Sequence, residues 1–124
     1  MSAGRSVVVT GAAHGIGRAT ALALSARGDR LGLIDRDATA LEEVARTIRQ
    51  GGATATAAPA DVTDREAVRS ALAAIEAEIG PPDVLLCCAG IGGLTLLPDL
   101  DPPALRAMLD VNVVGVAHVI DAAL

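Results

Sequence analysis

The segment Thr10-Gly11-Ala12-Ala13-His14-Gly15-Ile16-Gly17 follows an apolar run, Val7–Val9, and precedes a helical pattern. Its three glycines have separable uses. Gly11 permits a tight turn out of a strand, Gly15 lets backbone approach a ligand, and Gly17 lets a helix pack close to the strand. The helix start offers unpaired N–H groups, that of Ile16 among them, and the positive end of a dipole. That chemistry suits a pyrophosphate. Asp35 ends the next apolar run, where a carboxylate meets the adenosine ribose hydroxyls of a dinucleotide. It would repel a 2′-phosphate, which favours NAD over NADP. Arg36 and His14 pull the other way, since basic groups there could meet that phosphate; the plainer reading makes both solvated surface residues.

Other chemistries are thinly represented. The chain of 124 residues has no aromatic residue, and all of its 10 basic residues are Arg. Tyr and Lys, two common proton-transfer groups, are therefore missing. The two cysteines, Cys87 and Cys88, are adjacent, so a disulfide between them would be strained. They read as buried small apolar residues. Neither His14 nor His118 stands at a ligand spacing from them, so no metal site is expected. His118 reads as a core or interface residue. A net charge of −5 argues against nucleic acid as a partner.

The elements that must position these groups alternate. Strands are predicted over Ser6–Thr10, Leu31–Asp35, Ala53–Ala58 and Asp83–Cys88. Between them lie helical patterns. One covers Gly15–Arg27 and stops at Gly28. A second places Leu41, Val44, Ala45 and Ile48 on one face. A third does so with Val68, Ala71, Leu72, Ile75 and Ile79, ahead of Gly80-Pro81-Pro82. Thr39 with Glu42, and Thr63 with Glu66, have the spacing of capping boxes. A glycine-bearing loop over 89–98, a short helix Pro103–Leu109 and another helix from Asn112 complete the chain. This rhythm predicts one α/β domain over 1–124, a Rossmann-type doubly wound parallel sheet of about four strands in order 3-2-1-4. The last helix is apolar on most sides, which predicts burial, and the fourth strand is left as an open sheet edge. No apolar run reaches the roughly 18 residues of a membrane span, and Met1–Arg5 is followed only by Val7–Val9, so the cytoplasm is the expected setting.

The full motif, T-G-x-x-x-G-x-G, is joined by Asp61-Val62 after the third strand, by Cys87-Cys88-Ala89-Gly90 after the fourth, and by Asn112 with Gly115 at the last helix. In spacing and order the set resembles the classical short-chain dehydrogenase/reductase family over essentially the whole chain. The resemblance implies an NAD(P)-dependent oxidoreductase. It implies that Asp61 bonds the adenine amino group and that Val62 packs beside the ring. Ala89 and Gly90, next to Cys88, let the cofactor pass close to the fourth strand. Asn112 stands at the family's catalytic asparagine, which holds a water for proton relay, and its helix is the one through which members pair into homo-oligomers.

There are two departures. Cysteines replace both asparagines of the family's Asn-Asn-Ala-Gly, which support the central sheet. The family's catalytic Ser and Tyr-x-x-x-Lys fall on the next strand and helix, after this chain ends. The expectation is a truncated, dinucleotide-binding half with an incomplete catalytic set, whose small alcohol or ketone substrate belongs only to a complete protein. A non-catalytic nucleotide-binding module, or a subunit completed by another chain, is the alternative. A methyltransferase or sugar-nucleotide epimerase suits the spacing poorly.

Overall fold

The computed structural model describes residues 4–93 and 99–124. Four parallel strands, β1 (Ser6–Thr10), β2 (Arg30–Ile34), β3 (Ala55–Ala57) and β4 (Val84–Cys87), lie in the order β3-β2-β1-β4. Helices α1 (Gly15–Ala26), α2 (Ala38–Gln50) and α3 (Arg65–Ile79) connect them. After β4 come α4 (Pro102–Leu109), a π-helical turn over Asp110–Val114, and α5 (Gly115–Ala123). The last part of the expected loop, residues 94–98, lies outside the described residues.

Every residue of β1 is buried, because the strand is paired on both edges and covered on both faces. The period of two divides its valines between two cores. Val7 and Val9 pack with Leu31, Leu33, Leu41, Val44 and Ile48 beneath α1 and α2. Val8 packs with Ile34, Val68, Leu72, Ile75 and Val119 beneath α3 and α5. Gly32 pairs with Val8 and has no side chain to offer that second core. Its place is taken by Ile75 of α3, whose Cγ2 occupies the space a Cβ at Gly32 would need.

The lower ends of the strands are tied by charge. The half-exposed Arg5 guanidinium meets the nearly buried Asp29 carboxylate at 3.0 Å, and the Arg5 N–H donates to the same group. The Arg5 side-chain bond, then its backbone bond, hold the Asp29 carboxyl below its usual range. At the other side of β1, Asp83 accepts from the Ser6 N–H at 2.9 Å.

Several expectations are corrected in detail. Neither capping box forms. Asp37 caps α2 by accepting from the Ala40 N–H, and Asp64 caps α3 by accepting from the Ala67 N–H. An aspartate two residues before Thr39, or one after Thr63, reaches the third N–H onward, so each helix starts at the stronger acceptor. The strand over Ala53–Ala58 shortens to three residues, since its small side chains give little cross-strand packing. The two last helices are one, because the π turn carries the chain from α4 into α5 without a break. The joined helix, Pro102–Ala123, is long and apolar enough by length and composition to cross a membrane, with a mean hydropathy of 1.3 over an 18-residue window. A single helix of this kind is weak support for a span. It also carries Arg106, Asp110 and Asp121, and Asp121 is paired with Arg65 of α3 at 3.1 Å. The expected burial of the last helix fails as well. Only Gly115 and Val119 of α5 are buried, while Leu105, Leu109, Val113, Ile120 and Leu124 are exposed. One helix face suffices to cover the α3 side of the sheet, and β4 is the open edge beside it.

Gly32→Ala should overpack the contact with Ile75 and cost about 1–3 kcal/mol in urea unfolding. The double variant Gly32→Ala/Ile75→Ala should cost less than the sum of its two single changes, whereas strict additivity would show that the two residues do not compete for the same space.

Candidate functional site

The strands run parallel, so their C-terminal ends share one edge of the sheet, and the loops leaving β1, β2, β3 and β4 meet there. They enclose an open cleft of about 390 Å³. Gly11, His14, Gly15, Ile16 and Gly17 line it from the first loop, Asp35 and Arg36 from the second, Asp61 and Val62 from the third, and Cys88, Ala89 and Gly90 from the fourth. All the residues singled out from the sequence as cofactor-binding are thus brought together. Ala60, Ile91 and Val111 join them as apolar lining with no motif to announce them.

The floor is backbone packed against backbone. Gly11 has φ 67°, and a Cβ there would lie 2.6 Å from the Ala89 nitrogen. A Cβ at Gly17 would overlap the Gly11 carbonyl. These two positions need glycine for reasons of space, and the first for conformation also. Thr10 locks the fourth loop to the first: its carbonyl accepts from the Cys88 N–H at 3.2 Å and its hydroxyl from the Ala89 N–H at 3.3 Å. Thr10 opens the glycine motif, but its bonds to the fourth loop join residues far apart in sequence, which no local pattern reports.

The start of α1 differs from those of α2 and α3. Its N-cap, His14, makes no side-chain capping bond, and its first turn has no acidic residue. The other two starts are closed by Asp37 and Asp64. The unpaired N–H groups of α1 therefore remain for an anion in the cleft. Ile16 stands beside them with its side chain 80% exposed.

Two carboxylates sit on the facing walls. Asp35 accepts from the Ala13 N–H at 3.0 Å through Oδ2 and from the Asp37 N–H at 3.0 Å through Oδ1. It holds the glycine turn in place, and each oxygen keeps a lone pair for a further donor. Asp61 takes the Thr63 N–H at 2.9 Å and the Thr63 hydroxyl at 2.8 Å, both on Oδ1. The backbone bond, then the hydroxyl, hold its carboxyl below the usual range, so it is an acceptor at neutral pH. Val62 is buried, 2.7 Å from where a Gly115 Cβ would stand, and its carbonyl is 2.7 Å from Nδ1 of the half-buried His118. The histidine expected in a core or interface thus ties α5 to the third loop.

His14 is an exposed loop residue, as its plainer reading had it, but not a solitary one: Nε2 lies 2.9 Å from Asp37 Oδ2. Arg36 is exposed. The cysteines correct an expectation. Cys87 is exposed and Cys88 half-buried, because among the described residues β4 pairs only with β1. Among the described residues no cluster of His, Cys, Asp or Glu could hold a metal.

Asn112 does not line the cleft. It lies in the π turn, where its Oδ1 accepts from the Ile91 N–H at 2.9 Å and its Nδ2 donates to the Ile91 carbonyl at 2.8 Å. Each end of the amide thus makes one bond to the fourth loop, leaving a second N–H on Nδ2 and a second lone pair on Oδ1.

Comparison with known proteins places this arrangement. Residues 5–124 match the short chain dehydrogenase family. The chain is 37% identical over 113 residues to 2,3-dihydro-2,3-dihydroxybenzoate dehydrogenase of Bacillus subtilis, covering 91% of this chain and 43% of that protein. It is 42% identical over 112 residues to galactitol 2-dehydrogenase (L-tagatose-forming) of Cereibacter sphaeroides, covering 90% and 43%. A short-chain type dehydrogenase/reductase from Mycobacterium marinum superposes with a TM-score of 0.91 at 33% identity, over 98% of this chain and 49% of that one. The chain belongs to the short-chain dehydrogenase family. It spans less than half the length of these relatives, matching their N-terminal part.

Replacing Asn112 by Ala should free the Ile91 backbone. Hydrogen exchange at the Ile91 amide should accelerate, with a stability loss of about 1 kcal/mol. Unchanged exchange there would show that the amide does not hold the loop.

Proposed function

We propose that this chain is the dinucleotide-binding half of an oxidoreductase that takes NAD in preference to NADP and acts on a small alcohol or ketone. The observation that carries the reading is the uncapped start of α1, open to a cleft whose facing wall presents Asp35. The first-turn N–H groups of α1 would hold the pyrophosphate, which Gly15 would let approach the backbone. Asp35 would accept from the adenosine ribose hydroxyls with its remaining lone pairs, and a 2′-phosphate would meet its charge. Asp61 would accept from the adenine amino group through Oδ2, which has no protein partner among the described residues. Val62 would lie against the ring. Ala89 and Gly90 would let the chain of the cofactor pass the end of β4, and the loop they begin is steadied by Asn112.

When bound, the nicotinamide would carry the hydride, accepting it from an alcohol or, in its reduced form, giving it to a ketone. The chain's own contribution is to bind and orient the other half of the molecule. It has no Tyr or Lys to move a proton at the substrate oxygen, so residues 1–124 by themselves should bind without turnover.

Calorimetric titration tests the reading. NAD and ADP-ribose should bind one to one, with NADP weaker by at least about tenfold, or roughly 1.4 kcal/mol. Asp35→Ala should weaken NAD about ten- to a hundredfold, because it removes hydrogen bonds to a charged acceptor, and NADP by less. Failure of both NAD and ADP-ribose to bind contradicts the proposal.

A further inference from the structure

Asp37 does not line the cleft, yet two of its groups are tied to residues that do, Asp35 and His14, and a third caps α2. Its N–H donates to Asp35 Oδ1 at 3.0 Å. Its Oδ1 accepts from the Ala40 N–H at 3.1 Å and so caps α2. Its Oδ2 meets His14 Nε2 at 2.9 Å. The cap bond and then the histidine hold its carboxyl below the usual range, so the group is charged at neutral pH. An exposed ion pair is ordinarily worth little, because both side chains must be ordered to form it. Here the helix cap and the bond to Asp35 have already fixed the acid, and only the imidazole remains to be placed.

His14 is a basic residue of the glycine turn that lines the cleft, and Asp35 and Arg36 line it from the second loop. A 2′-phosphate on the adenosine ribose would bring a charge of about −1.5 to −2 to this corner. It would need His14 and Arg36 as partners and would meet Asp35 as an opponent. We propose that Asp37 is a specificity-determining residue of this cleft: it engages His14, withholding the imidazole from a 2′-phosphate, and adds a second negative charge behind Asp35. The proposal rests on the reading of the cleft as a dinucleotide site. It explains how a turn with a basic residue beside its second glycine can still favour NAD. The preference then lies in a pair of residues, His14 and Asp37, rather than in Asp35 alone.

The test is Asp37→Ser, which retains a good helix cap and removes the charge and the reach to His14. Dissociation constants for NAD and NADP are measured by calorimetry at low salt, where surface charge is least screened. The ratio of the NADP constant to the NAD constant should fall about three- to tenfold relative to the unaltered protein. Much of that gain should disappear in His14→Ala/Asp37→Ser. Should the serine variant melt early, Asp37→Asn keeps both the cap and the reach and must still lower the ratio. An unchanged ratio in these variants, with NAD binding intact, overturns this proposal alone. A gain of equal size without His14 overturns it too. Absence of dinucleotide binding to the unaltered protein overturns the underlying reading and this inference with it.

Discussion

The contact between the Gly17 backbone and the Gly11 carbonyl, with Ala89 pressed against Gly11 from the other side, fixes the geometry of the cleft. The two ends of one glycine motif and the distant start of the fourth loop meet there without side chains between them. Because β1 is wholly buried and paired on both edges, its end cannot shift to relieve a clash. The start of α1 is consequently held close to the ends of β1 and β4. Thr10 strengthens the same junction from below through two hydrogen bonds to the fourth loop. Asp35 closes it from the β2 side by accepting from Ala13.

The electrostatics follow from that packing. A helix start leaves unpaired donors, and two of the first three helices close theirs with aspartate. The third opens on the cleft without such a cap. Positive backbone on one wall and carboxylates at Asp35 and Asp61 on the others give a site shaped for a molecule with an anionic middle and hydroxyl or amino donors at one end. The remaining hydrogen bonds of the site, from Asn112 to Ile91 and from His118 to Val62, hold its loops to the last helix rather than reaching into the cleft.

Much of this was legible in the sequence. The glycine spacing, Asp35, Asp61-Val62 and Ala89-Gly90 all mark places where backbone must bend or come close, and such constraints leave distinctive residues. The strand order followed from the alternation of apolar runs with amphipathic helices. What stayed hidden depends on contacts between distant residues. Thr39 and Thr63 have the spacing of caps, yet Asp37 and Asp64 compete better for the same N–H groups. The exposure of Cys87 depends on β4 lying at the edge of the described sheet, which no local pattern reports. The pairing of His14 with Asp37 spans 23 positions and joins two loops that only the folded sheet brings together. The apolar last helix looked like a core element because composition does not say how many of its faces find a partner.

The central claim of the proposed function is that the α1 start grips the middle, and the third loop one end, of a single ligand. Titration of isotope-labelled protein with ADP-ribose, followed by amide NMR, tests it most directly. The account predicts saturating shifts concentrated at Gly15, Ile16 and Gly17 and, with the same dissociation constant, at Asp61 and Val62. Shifts confined to one of these segments, or spread over residues outside the cleft, would contradict it.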